Sequence, residues 1–492
     1  MGRDVTQAAF SCEDRARYRG KARRCLDVFA LMLNDSRFDD GDPTTGLEIE
    51  LDLVDGESRP AMANTEILAD LADPTFHAEL GQFNLEINIS PRLIAGDGFE
   101  HYEREILESL RRVDKSAGRF GAQIALIGVL PTLGQEHTVL GNLSPNPRFK
   151  VLNDEMAAAR GDRFDLDIRG DEQLRASNDT IAAEAACTST QLHLRVLPET
   201  FADYWNASQV IAAIQVAVGA NSPFFYGKRL WHETRIPLFL QSTDTRPPET
   251  KAQGVRPRVW FGERWIASAF DLFEENVRYF PPLLPICEPE DPDNAFTAGR
   301  IPSLGELRLH NGTIYRWNRP VYDITDNRAH LRIENRVLSS GPTVVDTLAN
   351  AAFYFGLVRA LAESEPALWS RMPFSVAEAN FCGAARDGIG ARVWWPGRGE
   401  TPVVDLVLDR LLPLAYAGLD RFGVDQAIRD RLLGIIEARC RARRNGALWQ
   451  AETVQMLETT HSLGRPAALR LMVDRYREGL YRNEPVHGWR LT

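Results

Sequence analysis

Residues 44–53, TTGLEIELDL, alternate so strictly that an extended strand is the one regular structure that suits them. Leu47, Ile49, Leu51 and Leu53 interleave with Glu48, Glu50 and Asp52, the period of a half-buried strand. Carboxylates are depleted in strands, because a pleated surface packs best with β-branched and aromatic side chains. The segment therefore sets one face on a core and turns a row of acids the other way. The pattern recurs. In FNLEINISP (83–91) Asn84, Glu86 and Asn88 share a face, and in TSTQLHLRV (188–196) Ser189, Gln191, His193 and Arg195 do. LRIENRV (331–337) aligns Arg332, Glu334 and Arg336, and TIYRWNR (313–319) aligns Ile314, Arg316 and Asn318.

Strand patterns fall at 46–54, 82–90, 122–130, 188–197, 236–241, 312–319 and 330–338. Helical spacing falls at 12–34, 100–118, 202–219 and 266–278, then in long segments at 343–364, 403–419, 425–444 and 448–480. Strands and helices do not take turns as a doubly wound parallel sheet requires. The order predicts an α+β fold, a mostly antiparallel sheet with flanking helices and a mainly helical C-terminal region. The proline- and glycine-punctuated stretch 281–305 reads as a long surface loop.

Several function classes drop out on charge and composition. A net charge of -11 disfavours nucleic acid and anionic membranes as partners, since both require excess Lys and Arg. The apolar run VIAAIQVAVGA (210–220) is too short to span a bilayer. The N-terminus carries no apolar core followed by a small-residue cleavage site, and its MGRDVT matches a myristoylation pattern that chance supplies easily. Six cysteines without a C-x-x-C fit a reducing compartment. A cytoplasmic location is expected.

Glutamates and a histidine from four separated strands can meet on one patch, and carboxylates placed together repel unless a positive charge sits between them. Mg²⁺ suits such a patch, since it prefers oxygen ligands and binds through a few carboxylates plus substrate phosphates. Glu48 and Glu50 then read as metal ligands on a strand whose other side packs on helices. The competing reading is the wet face of an antiparallel sheet. No G-x-x-x-x-G-K-[ST] loop, dinucleotide fingerprint or zinc spacing occurs, so a nucleotide would be held by metal ions and arginines. The tract YGKRLWHETRIPLF (226–239) gathers Lys228, Arg229 and Arg235, a grip for phosphate or carboxylate, or else a solvated basic loop. Cys187 reads as a structural cysteine.

Taken in order, GLEIEL, FNLEINISP, TSTQLHLRV, NSPFFYGKRLWHETRIPLF, NGTIYRWNRP and LRIENRVLSSGPT resemble the bacterial glutamate-cysteine ligase family, of the carboxylate-amine ligase type related to glutamine synthetase. The resemblance spans roughly 44–395. Ile49 separates Glu48 from Glu50, where many shorter members have adjacent acids, so the chain resembles a longer subgroup. The resemblance implies a glutamine-synthetase-like catalytic domain at 44–395; residue spacing adds a helical segment before it (1–43) and a helical region after it (396–492), expected to pack on the catalytic domain.

It further implies ATP and Mg²⁺ as cofactors over the polar face. Glu50 and Glu86 would serve one metal, and Glu48, His193 and Glu334 another. Arg336 would contact the transferring phosphoryl group, and Arg235 the amino acid or a phosphate. Gln191 would neighbour nucleotide or metal, with Arg195, Lys228 and Arg316 as further nucleotide contacts. The implied reaction joins the γ-carboxylate of glutamate to cysteine through an acyl phosphate, with small-molecule amino acids as partners and self-association left open. A ligase for another amine, a non-catalytic nucleotide-binding regulator and a metal-dependent hydrolase are the alternatives. The arginine-rich strand 331–337 favours phosphoryl transfer over hydrolysis.

Overall fold

The structure, a computed structural model, describes residues 10–491, so the MGRDVT pattern lies outside the described residues. Its centre is a seven-stranded sheet built from β1 (Thr45–Val54), β2 (Phe76–Ala78), β3 (Asn84–Arg92), β4 (Gln123–Ala125), β5 (Ser189–Val196), β6 (Asn318–Thr325) and β7 (Arg328–Ser339). The order is β6-β7-β5-β1-β3-β2, with β4 also pairing β1, and every pairing is antiparallel. This is the α+β architecture with an antiparallel sheet that the order of elements predicted.

One face of the sheet is apolar because the odd positions of β1 and their partners are. Leu47, Ile49, Leu51 and Leu53 are buried with Leu85, Ile87, Leu192, Leu194 and Ile333. The helices that cover this core include α1 (Cys12–Asn34), α2 (Gly98–Arg119), α3 (Phe201–Gly219) and α4 (Val344–Ala362). Ser11 and Asp14 start α1 with a reciprocal capping box, each side chain satisfying a backbone N–H of the first turn. Helix α4 is long and apolar enough to cross a membrane, yet it lies almost wholly inside the protein.

Four local expectations change. The buried segment predicted as a strand at 236–241 is a helix, Arg235–Ser242; short apolar runs suit either structure. Residues 122–130 form only the three-residue β4. The single helix predicted at 448–480 is two, α5 (Gly446–Thr459) and α6 (Arg465–Arg482). Ser462 has positive φ between them, and Pro466 opens α6, where its missing N–H costs nothing. Within 281–305, Leu283 and Leu284 are buried and Pro292–Thr297 is helical.

The C-terminal helices are tied to the sheet. Tyr476 Oη, on α6, donates to the Leu126 carbonyl just past β4 at 2.5 Å, and Arg477 Nε donates to the Ile124 carbonyl at 3.1 Å.

Candidate active site

Register brings the polar residues together. Glu50 faces Glu86 across β1 and β3, Glu48 faces Gln191 across β1 and β5, and His193 faces Glu334 across β5 and β7. Each sits at an alternate position of its strand, so all project from the same side. Carboxylate oxygens of Glu50, Glu86 and Glu79, the residue after β2, lie within 4.8 Å of one another.

This convergence is electrostatically costly as it stands. Burial, with Glu50 and Glu184 close by, pushes the Glu79 carboxyl up to about 8. Burial and the surrounding carboxylates of Glu48, Glu79 and Glu50 push Glu86 well above the usual range. Glu50 is raised by burial too, despite Arg336, although its oxygens accept from the Ser189 N–H at 2.6 Å and from Gln191 Nε2 at 2.9 Å. Three oxygen ligands whose charges repel, two on adjacent strands and one just past a third, suit a hard divalent cation, which would supply the missing positive charge.

Beside the acids lies an arginine-held group. Glu334 is almost fully buried, yet burial is outweighed by Arg319 and Arg336, which hold its carboxyl well below the usual range. Arg319 donates to Glu334 Oε2 through Nε at 3.0 Å and Nη2 at 2.7 Å, and Arg336 donates to Oε1. Arg336 also donates to Gln191 Oε1, so Gln191 bridges Arg336 and Glu50. A β-bulge between Asn335 and Leu338, where one extra residue enters β7, sits at Arg336; bulges re-aim side chains beside functional sites.

Arg332 Nε lies 3.2 Å from His193 Nδ1. Guanidinium can only donate, so the ring proton sits on Nε2. That nitrogen is 3.1 Å from Glu48 Oε1 but badly aligned, and it has no hydrogen bond.

A model of glutamate-cysteine ligase family 2 matches residues 44–447. The chain belongs to this family. Its fold is similar to that of a glutamate-cysteine ligase from Francisella tularensis solved in complex with AMP, at 12% identity and a TM-score of 0.54 over 93% of this chain and 91% of that one. A bifunctional glutathione synthetase from Pasteurella multocida is similar over 92% of this chain and 54% of its own, at 9% identity and a TM-score of 0.48. No curated protein sequence matches the chain. Family membership makes the chain an ATP-dependent ligase of the carboxylate-amine type.

Of the residues singled out in the sequence, Glu48, Glu50, Glu86, Gln191, His193, Glu334 and Arg336 form one connected group in this family member. Arg195 continues the same face two residues beyond His193, opposite Arg332, and is paired with Asp39. Three other residues are not brought into the group. Arg316 is buried against Glu275 and Asn276, with its guanidinium over the Trp260 ring. Lys228 is exposed and pairs with Glu172. Arg235 is buried at the start of the 235–242 helix, where it donates to Glu233 and to the carbonyls of Arg336 and Val337. It braces the bulged strand rather than presenting free donors.

Sequence reasoning missed Glu79, Arg319 and Glu184. FHAEL (76–80) alternates as the other motifs do, with His77 facing Glu86, which was a usable signal for Glu79. Arg319 was lost to register. The alternation predicts one strand through 313–319, but the strand breaks at Trp317 and restarts at Asn318, so Arg319 faces Glu334 and Arg316 does not. A one-residue slip turns every side chain over. Glu184 is a lone acid in the alanine-rich IAAEAAC, a weak signal.

Proposed function

We propose that this ligase joins the γ-carboxylate of glutamate to the amine of cysteine, with ATP as the phosphoryl donor and Mg²⁺ bound over the polar face of the sheet. The observation that carries this reading is the convergence of Glu50, Glu79 and Glu86 next to the Arg319–Glu334–Arg336 group. A carboxylate resists attack by an amine. Transfer of the γ-phosphoryl of ATP to it breaks the bond between the β,γ-bridging oxygen and phosphorus and forms an acyl phosphate; the amine then displaces phosphate.

The residues divide this work. Glu50, Glu79 and Glu86 would hold one Mg²⁺, and Glu48, His193 and Glu334 a second. Magnesium at these positions neutralises phosphate oxygens when bound. The second set suits a metal only after rearrangement, because arginines occupy both oxygens of Glu334 and Arg332 occupies Nδ1 of His193. Arg319 and Arg336 would release Glu334 as the nucleotide arrives and turn to the transferring phosphoryl group. Their strand-mounted backbones confine that movement to the side chains, which then stabilise the developing charge.

Incubation with glutamate, cysteine, ATP and Mg²⁺ is expected to release ADP and phosphate and to yield γ-glutamylcysteine. If no acid and amine pair from a broad panel stimulates ADP release, the ligase reading is wrong. If another pair is preferred, only the substrate assignment changes.

A further inference from the structure

His193 has a neighbour of the wrong polarity for a metal ligand. A histidine that binds a metal through one ring nitrogen almost always donates the N–H of the other to an acceptor, which fixes the tautomer that leaves the ligating nitrogen bare. Here the group at Nδ1 is a donor. Arg332 Nε lies 3.2 Å from that nitrogen, and a guanidinium has no acceptor to offer. His193 is thereby held with its proton on Nε2, the nitrogen that would have to share an ion with Glu48, 3.1 Å away. The side chain is buried, and Nε2 finds no hydrogen-bond partner among the described residues.

Arg332 is itself anchored elsewhere. Its Nη1 donates to Asp323 Oδ2, on β6, at 3.0 Å and to His330 Nε2, two positions back along β7, at 3.2 Å. Register sets this arrangement: Asp323 faces His330 across β6 and β7, and His330 and Arg332 alternate onto one face of β7. Only Nε reaches His193, and Nη2 has no hydrogen-bond partner among the described residues. A turn of the guanidinium that keeps Nη1 on Asp323 and His330 breaks only the bond to His193.

We propose that Arg332 is a positioning residue that keeps the second metal set weak in the free protein by fixing His193 as the Nε2–H tautomer, and that turning its Nε–H away from Nδ1 opens the set. After the turn the ring proton passes from Nε2 to Nδ1 by exchange with water, with no net gain or loss, and the Nε2 lone pair faces Glu48. The positive charge of Arg332 acts in the same direction, since it repels a divalent ion at that nitrogen. Nucleotide phosphates carry the acceptors a guanidinium prefers and would draw it away. Arg319 and Arg336 hold Glu334 by charge, whereas Arg332 acts on a neutral ligand through the position of one proton. The inference rests on the second metal set of the proposed function and names the residue that governs it.

The test titrates Mn²⁺ into the full chain, counted by electron paramagnetic resonance, with and without a non-hydrolysable ATP analogue. Nitrogen-15 spectra of labelled histidine read the His193 tautomer in the metal-free protein, with H193Q to assign its signal. Wild type is expected to show the Nε2–H tautomer, to bind a first Mn²⁺ readily, and to bind a second weakly until the analogue is added. R332M, which removes charge and donor, should tighten the second ion by about 10- to 100-fold without nucleotide, the effect a metal ligand's outer partner has. R332Q, equally neutral but able to accept from Nδ1, should tighten it further and shift His193 toward the Nδ1–H tautomer. An Nδ1–H tautomer in metal-free wild type, or a second ion no tighter in the two variants, overturns the assignment. Equal tightening in R332M and R332Q overturns it too, because charge alone would account for both. A second ion that never binds, even with the analogue, removes the second metal set and this assignment with it, while ADP release with glutamate and cysteine decides the ligase reading separately.

Discussion

Glu79, Glu86 and Glu50 are held where their charges repel, and protons are the simplest relief when no cation is bound. A carboxyl whose value is raised on folding makes the folded state bind more protons than the unfolded one, so stability falls as pH rises through the folded value. For Glu79 that window runs from about 4.5 to about 8. The metal-free protein should therefore lose thermal stability across this window, and Mg²⁺ should raise Tm more near its upper end, with measurable proton release on binding. E79Q should flatten the pH dependence and remove the Mg²⁺ shift; an unchanged shift would take Glu79 out of the metal site. At the arginine group, R336M should lower kcat by about 100- to 1000-fold, as loss of a preorganised cation at developing charge does, while circular dichroism stays native. A near-normal kcat would assign Arg336 to packing around Glu334.

At the scale of elements, strands supply precision and helices hold them in place. The bulge at Arg336 is pinned from behind by Arg235, whose guanidinium fills the carbonyls of Arg336 and Val337. R235M should thus lower activity without a change in metal binding, visible as a drop in kcat with the Mg²⁺-induced Tm shift retained. Helix α4 is anchored at its first turn by Asp346, which accepts from Arg439 Nη2 at 2.7 Å in a fully buried pair. Arg439 lies on a later helix, Gln426–Ala442, and Asn350 takes a second of its donors. D346A leaves a buried cation without its counter-charge and should cost about 3–5 kcal/mol in urea unfolding. A loss below about 1 kcal/mol would show that water reaches the pair.

Across the whole molecule, one apolar core joins the back of the sheet to α4 and to the helices after it, including Leu432, Ile436 and Cys440. Tyr476 and Gln450 both reach Asn221, in the segment that follows α3. A chain ending at Trp395 would expose the face of α4 that these helices cover, and should be insoluble or molten by near-ultraviolet circular dichroism. Cooperative unfolding of such a truncated chain at wild-type Tm would show residues 396–492 to be an independent appendage.

Much of this was legible in the sequence, and its limits are physical. Alternation in GLEIEL, FNLEINISP, TSTQLHLRV and LRIENRV determined which side chains face the core and which face the site, because side-chain direction in a strand is a local property of the backbone. The long apolar spacing of α3 and α4 determined helices for the same reason. Tertiary structure alone decided what lies across from what. It broke the chain at Trp317 so that Arg319 rather than Arg316 meets Glu334, and turned the 235–242 segment into a helix that hides Arg235 behind the sheet. It brought Glu79 to the strands' acids from a segment outside their motifs. Those outcomes depend on register and on packing between distant parts of the chain, where the energy of a contact is set by a partner that no local window contains.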